Sequence, residues 1–202
     1  MNVGVLASGT GTNLQALIDR AHGRDGVELV AFASDKPDAP ALDRARAAGI
    51  AVKTFPRERF ADRVARDLAI ATWLQERDVE LVVLAGYLQL LAPEFLEVFT
   101  DRVINVHPAL LPAFPGLHVV QQALDYGVKV FGVTVHFVDG GVDTGPVILQ
   151  RGLELPDARE VEGVLERLHP IEHDLLVEAV GLIARGALSF DPGNPRRVVI
   201  SR

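Results

Sequence analysis

The chain has 202 residues, no cysteine and a formal charge of -7, with 20 lysines and arginines against 27 aspartates and glutamates. That length is one domain by default, and 49% hydrophobic with 23% charged residues excludes disorder across the whole chain. Disulfides, thiolate metal sites and a cysteine nucleophile are ruled out; the acidic balance argues against broad nucleic-acid or membrane-surface binding but leaves room for a local phosphate site.

Apolar runs alternate with amphipathic stretches along the first half. Asn2 to Ala7 predicts a buried strand, Ser8 to Thr12 a glycine-rich loop, and Asn13 to His22 a helix with Leu14, Leu17 and Ile18 at helical spacing. Val27 to Ala33 follows as a strand, Ala39 to Ala48 as a helix stopped by Gly49, and Ala51 to Thr54 as a short strand. Arg57 to Arg77 predicts one long helix with Val64, Leu68, Ala71 and Leu74 along its apolar face, and Leu81 to Ala85 a strand ended by Gly86. Regular strand–helix alternation means a parallel sheet with helices on both faces.

The second half differs. Val103 to Val106 is another strand, and Pro108, Pro112 and Pro115 crowd into a loop that ends at Gly116. Val119 to Tyr126 is a short helix, while Lys129 to Val138 and Val147 to Leu153 are strands joined by the polar Asp139 to Gly145, an antiparallel element. Ala158 to Arg185 is helical with a bend expected at Pro170, and Leu188 to Phe190 with Val198 to Ile200 can close a terminal hairpin. The fold class is therefore α/β, a Rossmann-like, mostly parallel twisted sheet with an antiparallel part. No apolar run approaches the ~20 residues of a membrane helix, and the first, Val3 to Ala7, has no basic leader. The expected location is the cytoplasm.

Three places can carry chemistry. In Ser8-Gly9-Thr10-Gly11-Thr12-Asn13, glycines between a strand and a helix N-terminus let backbone N–H groups wrap an anion. The third glycine of a dinucleotide fingerprint is missing and no Lys-Ser/Thr pair follows, so one phosphate monoester suits the loop better. A tight turn capped by Thr12 is the plain alternative. In Asn105-Val106-His107-Pro108, residues two apart on a strand face one side, beyond the carboxyl ends of strands where open α/β sheets bind ligands. Satisfaction by loop backbone would explain the pair equally well. In Asp139-Gly140-Gly141-Val142-Asp143-Thr144-Gly145-Pro146, a carboxylate on a glycine-rich loop can reach another strand end, so Asp143 can orient His107 and raise its pKa. Turn formation explains Asp139 well and Asp143 less well. His169-Pro170-Ile171-Glu172-His173 matches a zinc-peptidase pattern in letters, but Pro170 disturbs the helical turn that must align the histidines.

Taken in order, Gly9-Thr10-Gly11-Thr12-Asn13-Leu14-Gln15-Ala16-Leu17, Leu84-Ala85-Gly86-Tyr87, Ile104-Asn105-Val106-His107-Pro108 and Thr134-Val135-His136 through Asp143-Thr144-Gly145-Pro146 resemble the folate-dependent phosphoribosylglycinamide formyltransferases over nearly the whole chain. The resemblance implies that Asn105, His107 and Asp143 form the catalytic set, and that Gly11, Thr12 and Asn13 hold the substrate phosphate. It gives Glu172 to the ribose or glycinamide end, displacing the zinc reading. Arg63, Leu88, Gln89, Leu90, Leu91 and Asn105 would meet the folate, Leu88 to Leu91 largely through backbone groups; the family usually has arginine where this chain has Gln89. The implied organisation is a single domain over 1–202, with a phosphate-binding half (1–100) and a folate and catalytic half (101–202). The co-substrate would be 10-formyltetrahydrofolate, with no metal. The partners would be these small molecules, with neither nucleic acid nor membrane, and the assembly compatible with a homodimer. Hydrolysis of the formyl folate, or transfer to another acceptor, is the alternative reading of the same catalytic set.

Overall fold

The computed structural model describes residues 1–201. The chain divides into two compact units, Met1–Asn105 and the remainder from Val106 onward. The first unit carries β1 (Asn2–Leu6), α1 (Thr12–Arg20), β2 (Glu28–Ser34), α2 (Ala41–Ala47), β3 (Ala51–Thr54), α3 (Arg63–Gln75), β4 (Leu81–Leu84), α4 (Pro93–Val98) and the start of β5 (Val103–His107). Its strands lie in the order β3-β2-β1-β4-β5, every pair parallel. The chain reverses its winding between β1 and β4, and at that switch point an open sheet presents a crevice beyond its strand ends. Two loops leave there, 7–11 after β1 and 85–92 after β4, joined where Ser8 N–H donates to the Gly86 carbonyl at 3.0 Å.

Packing explains the glycine inside β1. A Cβ on Gly4 would come within 2.8 Å of Leu74 on α3, so its absence lets the helix lie close against the strand. The predicted helix over 57–77 is shorter than expected. Arg57–Arg59 forms one 3-10 turn, and α3 proper starts at Arg63 because the Asp62 carboxylate caps it, accepting from Ala65 N–H at 2.8 Å. Its buried face also differs: Leu68 is 40% exposed, whereas Arg66 and Asp67 are buried beside Ile70, Ala71, Trp73 and Leu74. The short α4, with Pro93 at its start and Phe95 fully buried, has no counterpart in the sequence reading.

The second unit holds α5 (Val119–Tyr126), β6 (Val130–Phe137), β7 (Val147–Glu154), α6 (Val161–Ala184), β8 (Leu188–Asp191) and β9 (Asn194–Ile200). As expected, β6 and β7 are antiparallel, and β8 and β9 form the terminal hairpin, β9 meeting β7 at Val147 and Arg197. Helix α6 continues through Pro170 as one helical span and packs on β6 and β7. Gly132 on β6 is required by close approach, since a Cβ there would stand 2.5 Å from the Leu110 side chain and 2.6 Å from the Arg151 carbonyl oxygen. No helix among the described residues is long and apolar enough to cross a membrane.

Candidate active site

In the first unit, the loop after β1 is shaped by backbone geometry. Gly11 is the N-cap of α1 at φ 75 and ψ 34, a left-handed conformation that favours glycine. A Cβ there would also lie 2.6 Å from the Ala41 Cβ and 3.0 Å from its Cα. The cap is therefore Gly11 itself, and Thr12 is the first helical residue. The first turn of α1 carries no acidic residue, so its N–H groups and the positive end of the helix dipole meet no competing carboxylate there. Helix α2 braces the loop: Ala41 N–H donates to the Gly9 carbonyl at 3.3 Å, and Arg44 donates from Nε to the Thr10 carbonyl at 2.9 Å and from Nη1 to Gln15 Oε1 at 3.0 Å. Arg44 has no sequence signal of this role, because an arginine in a helical pattern carries no local sign of what it faces.

The loop after β4 shows Leu88 and Leu90 to solvent, each 56% exposed, while Leu91 is half-buried. Gln89 turns inward, donating from Nε2 to Asp35 Oδ2 at 3.0 Å and accepting from Arg66 Nη1 at 3.3 Å. Arg63 is exposed on the first turn of α3.

Asn105 and His107 lie two apart at the end of β5, Asn105 half-buried and His107 only 4% exposed. The segment after His107 is tied to the second unit's sheet through one hydroxyl. Thr134 Oγ1 donates to the Ala109 carbonyl at 2.7 Å and accepts from Leu111 N–H at 3.1 Å and Gln150 Nε2 at 2.9 Å. The chain then turns back over His107, with Phe114 and His118 at positive φ. The Phe114 carbonyl lies 2.8 Å from His107 Nε2, and Asp143 Oδ2 lies 3.5 Å from His107 Nδ1. A carbonyl and a carboxylate only accept, so the Phe114 contact fixes a proton on Nε2, and a second proton on Nδ1 completes an ion pair with Asp143.

Asp143 sits at φ 52, a conformation that aspartate tolerates better than most residues. Its Oδ2 also accepts from Gly116 N–H at 2.8 Å, and its Oδ1 lies 3.5 Å from Nε2 of the buried His136. The carboxylate thus stands between two imidazoles. His136 lies two residues along β6 from Thr134, and that spacing is its sequence signal. Asp139 is a turn residue, accepting from Gly141 N–H at 3.1 Å and Thr144 Oγ1 at 2.6 Å.

The electrostatics correct one expectation. The His107 pKa is lowered, not raised: burial disfavours the cation, and this outweighs the Phe114 carbonyl and Asp143, which both favour it. The returning loop covers the ring, and that burial reverses the upward shift expected from Asp143. Burial pushes Asp143 up, yet the His136 hydrogen bond, the Gly116 N–H and the two imidazoles together hold its pKa below the usual carboxylate value. Between the ordinary 6.5 and the lowered value, the unfolded chain binds more protons at His107 than the native one, so stability falls as pH drops through that window. Asp143 adds stability that is lost further down, as pH falls through its depressed value. Urea titrations at about pH 7.5 and about pH 5.5 are expected to show the lower midpoint at the acid value, and His107→Gln to shrink that difference. An undiminished difference would assign it to other groups.

Glu172 is buried on α6, between His169 and His173, whose rings stack at 6.5 Å. Among the described residues no group of three His, Asp or Glu side chains is placed to hold a metal ion.

A family model described as formyl transferase matches residues 1–180. The chain is 38% identical over 187 residues to phosphoribosylglycinamide formyltransferase of Bacillus subtilis, covering 90% of this chain and 96% of that protein. It is 41% identical over 196 residues to the Trifunctional purine biosynthetic protein adenosine-3 of Drosophila melanogaster, covering 94% of this chain and 14% of that protein. Among solved structures, glycinamide ribonucleotide transformylase 1 from Symbiobacterium toebii superposes with a TM-score of 0.95 at 44% identity, covering 100% of this chain and 94% of the other.

Proposed function

The chain belongs to the formyl transferase family, and on that premise we propose that it transfers the formyl group of 10-formyltetrahydrofolate to the amine of phosphoribosylglycinamide, a step of purine biosynthesis. The observation that carries the reading is the His107 ring, held between the Phe114 carbonyl and the Asp143 carboxylate. The glycine-shaped loop at the start of α1 supports an acceptor that bears a phosphate.

In this reading the amine lone pair attacks the formyl carbon, a C–N bond forms and the carbonyl electrons move to oxygen. The Asn105 amide and His107 Nε2–H donate to that oxyanion, and one such donor contributes about 10²–10³ in rate. Nε2–H is present in neutral and charged imidazole alike, so the lowered pKa does not remove the donor. It is now given to Phe114, whose carbonyl must yield it. Negative charge on the formyl oxygen favours the doubly protonated ring, its second proton taken from solvent and returned on collapse, with the Asp143 carboxylate accepting from Nδ1–H. Collapse breaks the bond to the folate nitrogen; a water beside Asp143 carries the amine proton toward that leaving group. Gly11, Thr12 and Asn13 would take the phosphate, Glu172 the ribose or glycinamide end, and Arg63 and Leu88 to Leu91 the folate. The reaction needs only small-molecule partners, which suits a cytoplasmic enzyme.

Deformylation of the folate is expected to require phosphoribosylglycinamide and to give one formylated amine per folate consumed. Consumption at the same rate without the amine, with release of formate, would instead make the chain a hydrolase. Gly11→Ala places a methyl against Ala41 and strains the loop, so it is expected to raise KM for the phosphoribosyl amine at least about tenfold. The folate KM should stay within about twofold. An equal rise in both would reduce the loop to a support of the fold.

A further inference from the structure

Behind the loop after β4 lies a buried polar chain that takes no part in the reaction as described. Arg66 is 2% exposed and Asp67 fully buried. Neighbours in sequence do not normally face each other on a helix, yet the Arg66 guanidinium folds back on Asp67, with Nε at 2.9 Å and Nη2 at 2.8 Å from Oδ1. That leaves Asp67 Oδ2 to accept from Ala92 N–H at 2.7 Å, where the loop ends, and Arg66 Nη1 to donate to Gln89 Oε1 at 3.3 Å, in its middle. Gln89 passes the connection on through Nε2 to Asp35 Oδ2, just past β2. Ser8 Oγ accepts from Leu88 N–H at 3.0 Å at the loop's near end. The segment 88–92 is therefore pinned at its start, middle and end.

Along this segment Leu88 and Leu90 are exposed while Gln89, at a bend, turns inward. A buried arginine–aspartate pair is poor value as a stabiliser compared with apolar packing, and its best-attested use is to fix one arrangement among several. Here the arrangement it fixes is a loop with two outward leucines that would otherwise gain by collapsing inward.

We propose that Arg66 and Gln89 are positioning residues for the folate: they act through the backbone of 88–92 and set the outward face of Leu88 and Leu90 before the ligand arrives. The inference rests on the functional reading above for the identity of the ligand. Gln89 is a relay between a guanidinium and a carboxylate, and its side-chain amide points away from the ligand face.

The relay has a specific test, because its polarity can be inverted. Gln89→Glu keeps the acceptor for Arg66 but sets a carboxylate against Asp35. Asp35→Asn in addition supplies a donor at position 35 and restores both bonds. Gln89→Glu is expected to raise the KM for 10-formyltetrahydrofolate at least about tenfold, with the phosphoribosyl amine KM within about twofold. Amide hydrogen exchange in 86–92 should quicken, and exchange in α3 should not. The double substitution should bring both readouts back to within about threefold of the unsubstituted protein. Failure of that rescue, equal rises in both KM values, or unchanged exchange in 86–92 would each overturn the proposal. If the unsubstituted protein transfers no formyl group, the functional reading fails; the exchange and its rescue then decide alone whether this network holds the loop.

Discussion

Replacing Asp143 with asparagine is expected to lower turnover by at least about 10² while both substrates stay bound, since the lost interaction belongs mainly to the transition state. The substitution keeps the shape and changes the polarity. Oδ2 accepts from Gly116 N–H at 2.8 Å and lies 3.5 Å from His107 Nδ1, while Oδ1 lies 3.5 Å from His136 Nε2. An amide nitrogen in the Oδ2 place sets donor against the Gly116 N–H. The charge that favours protonated His107 also disappears, so the imidazole should titrate still further below 6.5. Proton NMR of His107 in the two proteins gives the sign directly. An unchanged or higher value in Asp143→Asn would mean that the carboxylate does not govern the ring.

A second large effect is expected from Gly145→Ala, far from any hydrogen bond to the reacting atoms. A Cβ on Gly145 would stand 1.8 Å from the Phe137 carbonyl oxygen and 2.8 Å from its carbon. Both partners are backbone, and Phe137 N–H is already tied to the Pro146 carbonyl at 2.9 Å, so neither can move without unseating the loop that carries Asp143. Overpacking of this kind costs about 1–3 kcal/mol in stability, and displacing Asp143 should cost turnover at least about 10² more. Gly140→Ala is the matched control, because a Cβ there meets nothing within 4 Å. Denaturant midpoints and turnover measured on the pair should separate sharply. Near-normal turnover in Gly145→Ala would show that Asp143 does not depend on this close approach.

Much of this architecture is legible in the letters. Strands β1 to β5 declare themselves as short apolar runs between helical patterns, and the glycines before α1 mark a loop at a strand end. The pairing of Asp143 with His107 was also readable, because a carboxylate on a glycine-rich turn after an antiparallel strand can reach a neighbouring strand end. What escaped has common causes. Helix α3 begins at Arg63 and not at Arg57 because a single capping carboxylate, Asp62, overrides a polar stretch that periodicity leaves undecided. The same helix buries Arg66 and Asp67 where an apolar count selects Leu68, since hydrophobic patterning cannot see a charge neutralised by its neighbour. The sign of the His107 shift depends on a loop folding back seven residues later, a tertiary event with no local signature. Arg44 lacks a local signature for the same reason, its Thr10 partner lying 34 residues away, whereas His136 is marked by its place two residues from Thr134.

The central claim is that His107 and Asp143 act as one unit, and a double-mutant cycle on turnover tests it most directly. With His107→Asn and Asp143→Asn each costing at least about 10², the double variant is expected to be little worse than either single. Fully multiplicative losses would show that the two residues act separately, and Asp143 would have to be withdrawn as the partner of His107.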